Sequence, residues 1–150
     1  MFLPKKILVP TDFSEFSDKA LRQAYDLAKQ HSAKIYFLHV IGVTQTCAID
    51  YCFDDQTINA IDKKATESSE NAMQEQIKRV VPSPDVEIES YVVKGHPYEQ
   101  ILKEQEAKKI DLIVISTHGR TGLVGHLMGS VSEKVARHAK CPVMLVKGTE

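Results

Sequence analysis

No apolar run in this sequence approaches the ~20 residues that cross a bilayer, and neither sign of charge prevails. Nineteen Lys and Arg against 20 Asp and Glu leave a formal net charge of -1 and a pI near 6.6. The chain therefore offers no basic footprint for nucleic acid and no acidic tail. Cysteine is scarce, three in number, and the opening Met1-Phe2-Leu3-Pro4-Lys5-Lys6 lacks the apolar core of a secretory leader. Reduced thiols and a cytoplasmic location are expected, with neither nucleic acid nor membrane as a partner. Gly-Lys-Ser/Thr is missing as well, which excludes a Walker A loop, and no Gly-x-Gly-x-x-Gly stands near the first strand. What remains is 150 residues, 43% apolar and 26% charged, a soluble globular composition long enough to bury a core.

Short β-branched runs alternate with helical periodicity along the chain. Lys6-Ile7-Leu8-Val9-Pro10 reads as a buried strand that stops at proline. Thr11-Asp12-Phe13-Ser14 is a turn, and Ser14 or Ser17 can cap the helix after it. Ala20, Leu21, Ala24, Tyr25, Leu27, Ala28 and His31 share one helical face. A second strand spans Lys34 to Val40, and residues 41 to 56 read as a long excursion. Ile58, Ile61, Ala65, Ala72, Met73, Ile77 and Val80 mark a long amphipathic helix, broken by Val81-Pro82-Ser83-Pro84. Val86 to Val93 alternates apolar and charged residues, as an edge strand does. Pro97 opens another helix with Tyr98, Ile101, Leu102 and Ala107 on its buried side. Asp111 to Ser116 is a fourth strand, Ser130 to His138 a helix and Pro142 to Val146 a last strand.

This alternation predicts one α/β domain over residues 1–150. Its sheet is open, doubly wound, five-stranded and mostly parallel, with helices on both faces, of the Rossmann-like, HUP type. Ligands of such sheets sit beyond the carboxyl ends of the strands, at the switch point. Three loops meet there: Pro10 to Ser14, Val40 onward, and Ser116 to Ser130.

Four of the seven glycines, Gly119, Gly122, Gly125 and Gly129, fall in the last of these loops. An apolar strand, Leu112-Ile113-Val114-Ile115, leads in, and Ser130 with Glu133 has the spacing of a capping box. Strand, glycine loop and helix start bring backbone N–H groups and a helix dipole onto an anion, usually a phosphate. His118 and Arg120 add candidate positive charge, and Ser130 a hydroxyl. The same glycines also fit a plain reversal of the chain, and the spacing alone leaves both readings open. Asp12 likewise fits a ligand acceptor at a strand end and an Asx turn, two compatible roles.

The residues resemble the universal stress protein family over essentially the whole chain. The resemblance rests on Lys-Ile-Leu-Val-Pro-Thr-Asp, Leu-His-Val, Val-Lys-Gly-His-Pro, Asp-Leu-Ile-Val-Ile-Ser-Thr-His-Gly-Arg-Thr-Gly, and the Gly-Ser-Val-Ser-Glu-Lys-Val-x-Arg-His-Ala-x-Cys-Pro-Val ending. The family's ATP-binding branch carries Gly, two residues, Gly, nine residues, Gly, then Ser or Thr. Here Gly119, Gly129 and Ser130 match, and Ser116 replaces the first glycine. The resemblance implies a stress-response protein that binds ATP, with magnesium or manganese arriving on the triphosphate, switched by occupancy and with at most slow hydrolysis or autophosphorylation. By it, Pro10, Thr11, Asp12 and Val40 line the adenosine side, with Asp12 toward the ribose hydroxyls. Ile115 and Ser116 flank the nucleotide, while Gly119, Gly129, Ser130 and Val131 meet the phosphates; the charge of Arg120, within the same loop, makes it a further candidate for cofactor binding. It also implies a homodimer joined through the last strand, Val143 to Val146.

No nucleophile–base pair and no protein-only metal cage stand out, so no catalytic or metal-ligating residue is assigned. Cys47 and Cys52, near Asp50, Asp54 and Asp55, read as loop thiols rather than metal ligands. Cys141 reads as a small buried hydrophobe, and His39 as a core or strand-end hydrogen bonder. Two rival functions remain: a nucleotide-free dimeric interaction module, favoured by Ser116, and a small nucleotide or phosphoester hydrolase working through His118 and Asp12.

Overall fold

The computed structural model describes residues 1–42, 54–83, 85–119 and 128–148. Arg120, Gly122, Gly125, Cys47, Asp50 and Cys52 lie outside the described residues. The strands are β1 (Lys6–Thr11), β2 (Lys34–Ile41), β3 (Ile88–Lys94), β4 (Leu112–Ser116) and β5 (Val143–Val146). The helices between them are α1 (Glu15–His31), α2 (Asp55–Val80), α3 (Pro97–Ala107) and α4 (Ser130–His138). One sheet results, in the order β3-β2-β1-β4-β5, with every neighbouring pair parallel.

Alternation along the central strands divides the core in two. Ile7 and Val9 of β1, with Ile35 and Phe37 of β2, pack beneath α1 and α2. Leu8 of β1, Leu38 of β2, and Ile113 and Ile115 of β4 face the opposite way, toward α3 and α4. A strand buried on both faces has no polar side to show, which is why β1 and β4 read as continuous apolar runs. β3 lies at one sheet edge and exposes Glu89 and Lys94, as its alternation predicted.

Local chemistry sets the helix starts. Ser14 caps α1, its side chain accepting the Ser17 N–H at 3.2 Å. Asp54 caps α2 by accepting from Thr57 N–H at 2.8 Å, so that helix begins inside the stretch read as an excursion. Pro97 opens α3 just after Gly95, whose φ of 144° suits only glycine. The expected capping box at α4 does not form. Gly129 takes the extended cap conformation, so Ser130 is already helical and no side chain caps this end. Glu133 pairs instead with Arg137, one turn on, at 2.9 Å.

From β1 the chain winds outward through β2 to β3 with α1 and α2 on one face. It then returns, by way of α3 on the other face, to the far side of β1 as β4. The connections leaving β1 and β4 therefore diverge to opposite faces, and a cleft opens between them at the carboxyl edge.

Candidate functional site

A cavity of about 270 Å³ occupies that cleft. Pro10, Thr11 and Asp12 reach it from the end of β1, Val40 from β2, and Ile115 and Ser116 from β4. Gly119 and Gly129 line it side by side, and Ser130 and Val131 bring in the first turn of α4. Every described residue of the expected site thus lines one cavity; Arg120 lies outside the described residues. Sequence reasoning passed over Leu38 and His39 of β2, Pro97 and Ile101 of α3, and Ser17 and Ser132. The signal for α3 was present, because the β3–α3 turn also lies at the carboxyl edge of a parallel sheet.

The β1–α1 turn is held by side chains. Asp12 Oδ1 accepts the Ser14 N–H at 3.0 Å and the Ser14 hydroxyl, so the Asx turn is real. Phe13 sits at φ 67°, a left-handed conformation that costs a non-glycine residue about 1–2 kcal/mol. The Thr11 hydroxyl accepts the Phe13 N–H at 3.1 Å and helps to keep it there. Behind Thr11 lies Gln76 of α2, only 1% exposed. Its Oε1 accepts from the Thr11 hydroxyl at 2.7 Å, and its Nε2 donates to Ser17 Oγ at 3.0 Å and to Asp18 Oδ1 at 2.6 Å. Among the described residues every buried side-chain nitrogen and oxygen has a partner. Stranding one would cost about 1–3 kcal/mol.

The described ends of the β4–α4 connection are held by backbone and side-chain bonds together. The Gly129 N–H donates to the Thr117 carbonyl at 2.5 Å, and Ser132 Oγ donates to the same carbonyl at 3.2 Å. The Thr117 N–H is tied to the Val146 carbonyl of β5 at 3.0 Å. These bonds close the neck of the loop. A Cβ on Gly129 would stand 3.3 Å from the Thr117 carbonyl and 4.0 Å from the Gly119 nitrogen. A Cβ on Gly119 would stand 2.8 Å from Asp12 Oδ2, too close without movement of the carboxylate. Gly129 has an ordinary extended backbone, φ -72° and ψ 160°, so close approach, not special dihedrals, calls for glycine there. Ser116, at the position of the missing motif glycine, donates its hydroxyl to the His118 carbonyl at 2.9 Å.

Two histidines line the cavity. His39 Nδ1 lies 2.8 Å from the Thr11 carbonyl, which can only accept, so the proton is assigned to Nδ1; the ring packs on Phe13 with centroids 4.3 Å apart. His118 Nδ1 bonds the Thr117 hydroxyl at 2.9 Å, and its ring lies 5.6 Å from that of Phe16. Among the described lining residues there is no lysine or arginine, and Asp12 is the one carboxylate. Thr11, Ser17, Ser116, Ser130 and Ser132 add hydroxyl-bearing side chains, and Pro10, Leu38, Val40, Pro97, Ile101 and Ile115 make up an apolar part of the wall. Such a surface suits a flat aromatic body at one end, and the α4 N-terminus suits an anion at the other. Among the described residues no three His, Cys, Asp or Glu side chains come together as a metal ion would require. Cys141 lies apart from the cavity, its thiol pushed up by burial and therefore poorly ionised.

The universal stress protein family model matches residues 4–147. Universal stress protein MJ0531 of Methanocaldococcus jannaschii is 34% identical over 145 residues, covering 97% of this chain and 83% of that one. The solved structure of protein MJ0577 from the same organism superposes with a TM-score of 0.85 at 31% identity, over 100% of this chain and 99% of that chain. A universal stress protein solved in complex with cAMP shares the fold, with a TM-score of 0.71 at 23% identity over 97% and 98% of the two chains. The chain belongs to the universal stress protein family.

Proposed function

We propose that this universal stress protein family member binds an adenine nucleotide, ATP in the leading case, in the cleft between β1 and β4. One observation carries the reading: Gly119 and Gly129 stand together, with the first turn of α4, on the lining of a cavity at the switch point whose other lining residues include Pro10, Val40 and Ile115. The base and ribose would occupy the cavity between Pro10, Val40 and Ile115, with Asp12 beside the ribose hydroxyls. The phosphates would lie across Gly119, Gly129, Ser130 and Val131, with Arg120 and a metal ion on the triphosphate adding charge. That a family member of the same fold was solved with cAMP supports an adenine nucleotide as the ligand class. Occupancy would alter the surface that a partner meets, a switch rather than an efficient catalyst.

The chain acts as one cytoplasmic domain in this reading and pairs through β5. That strand is the sheet edge beside β4, and its residues Val143 to Val146 are half-exposed. An edge with unpaired backbone groups is closed most simply by a second copy. A second reading, a nucleotide-free interaction module, is favoured by Ser116, whose side chain takes up room where the motif has glycine. Denaturing the purified protein and weighing the released small molecules by mass spectrometry separates the two. Adenine nucleotide near one per chain is expected; an empty supernatant, followed by no retention in equilibrium dialysis at millimolar ATP, would establish the second reading.

A further inference from the structure

α2 does not line the cavity, yet it sends one buried polar side chain to the turn that does. Gln76 lies on the same helical face as Met73 and Val80, both buried, where an apolar residue is the ordinary choice. Its amide can face only one way. Ser17 Oγ gives its own proton to the Ser14 carbonyl at 2.7 Å, and Asp18 is a carboxylate paired with Arg79. Both therefore need the NH2 group, which leaves Oε1 for the Thr11 hydroxyl. Thr11 Oγ1 also lies 3.0 Å from Ser17 Oγ, but Gln76 Oε1 is nearer at 2.7 Å; with the one proton directed to Gln76, the lone pairs of Thr11 Oγ1 are left for the Phe13 N–H. Ser17 likewise fixes the Ser14 carbonyl, and Ser14 holds Asp12 Oδ1. Every link from α2 to Asp12 is a hydrogen bond of at most 3.1 Å.

We propose that Gln76 is a positioning residue for the nucleotide site: through Thr11 and Ser17 it holds the left-handed turn at Phe13, and with it Asp12 and the Phe13–His39 pair, in the binding geometry. The inference rests on the nucleotide reading above. It also gives a reason for a fully satisfied amide at a core position. Apolar packing would hold α2 against α1 equally well, but it would not orient a hydroxyl.

Two variants test it, with ATP affinity measured well below each melting temperature. Gln76→Met keeps the length and the packing and removes the three hydrogen bonds; ATP affinity should fall at least tenfold while the protein remains folded by circular dichroism. Gln76→Glu supplies a signature that loss of packing does not. Ionised, the introduced carboxylate faces Asp18 and cannot donate to Ser17; protonated, it accepts from Thr11 and donates its one proton to Ser17 or Asp18, where the amide serves both. The neighbouring Asp18 charge raises the pKa of that carboxyl, and Arg79, on the far side of Asp18, offsets part of the rise. The ratio of variant to wild-type affinity should therefore be highest at acid pH and fall as pH rises. Wild-type protein that ignores ATP overturns the nucleotide reading and this inference with it. Wild-type protein that binds ATP, with Gln76→Met binding equally well or the Gln76→Glu ratio flat with pH, overturns this inference alone. Should Gln76→Met fail to fold, the pH ratio decides.

Discussion

On one wall of the cavity, the β1–α1 turn is fixed by side chains: Thr11, Ser14, Ser17 and the buried Gln76 each contribute a hydrogen bond. On the other, the described ends of the β4–α4 connection meet at the Thr117 carbonyl, which accepts the Gly129 N–H and the Ser132 hydroxyl, while Gly119 and Gly129 leave open the places where a Cβ would stand. The difference separates two ways of making room for a ligand. A strained turn that must present a carboxylate needs many partners to hold it. A loop that is to meet phosphates with its N–H groups, as proposed here, would need nothing standing between backbone and ligand. The first wall should be damaged by deletion, and the second by addition.

The largest expected effect comes from adding bulk to the glycine wall. Gly129→Val places a branched side chain between the Thr117 carbonyl and Gly119, and ATP binding at millimolar concentration should disappear; affinity equal to wild type in a calorimetric titration would remove the phosphates from that position. Gly119→Ala is a milder addition, forcing Asp12 Oδ2 away from a Cβ 2.8 Å distant. It should weaken ATP by about tenfold, ~1.4 kcal/mol, and should weaken adenosine too, since Asp12 moves. A loss confined to ATP, with adenosine unaffected, would separate Gly119 from the ribose side.

On the side-chain wall, Asp12→Ala removes the acceptor for Ser14, whereas Asp12→Asn keeps a neutral acceptor at Oδ1. The alanine variant should lose stability of about 1 kcal/mol as well as affinity. The asparagine variant should keep its melting temperature and lose only a few-fold in affinity. Equal melting temperatures for the two would mean that the Asx turn contributes nothing to the fold. The smallest effect on affinity is expected from Ser116→Gly, which completes the glycine motif and deletes the bond to the His118 carbonyl. Loss of that bond and the added chain freedom should cost about 1–2 kcal/mol, while ATP affinity rises a few-fold. Reduced affinity would show that the Ser116 hydroxyl serves the ligand rather than crowding it.

The strands were legible because burial on both faces of β1 and β4 leaves only apolar residues to read, and the site was legible because its loops all follow strands. What escaped has a common cause: it depends on which neighbour a polar group meets. Gln76 sits at helical spacing from Met73 and Val80, yet nothing in the sequence pairs it with Thr11, 65 residues away. Ser130 and Glu133 have capping-box spacing, but the helix starts one residue earlier than that motif requires, with Gly129 as its cap. Ser132, two residues into the helix, makes the bonds to the Thr117 and Gly129 carbonyls. Ile101, read as core from its periodicity, is both core and cavity wall.

The most direct test of the account is the melting temperature of nucleotide-stripped wild-type protein and of Gly129→Val, each with and without millimolar ATP. A hundredfold excess over Kd stabilises the folded state by about 2.7 kcal/mol. For a chain of 150 residues that is a shift of roughly 5–10 °C. The account predicts such a shift for the wild type and none for Gly129→Val. A wild-type melting temperature unmoved by ATP, or the same shift in both proteins, would contradict it.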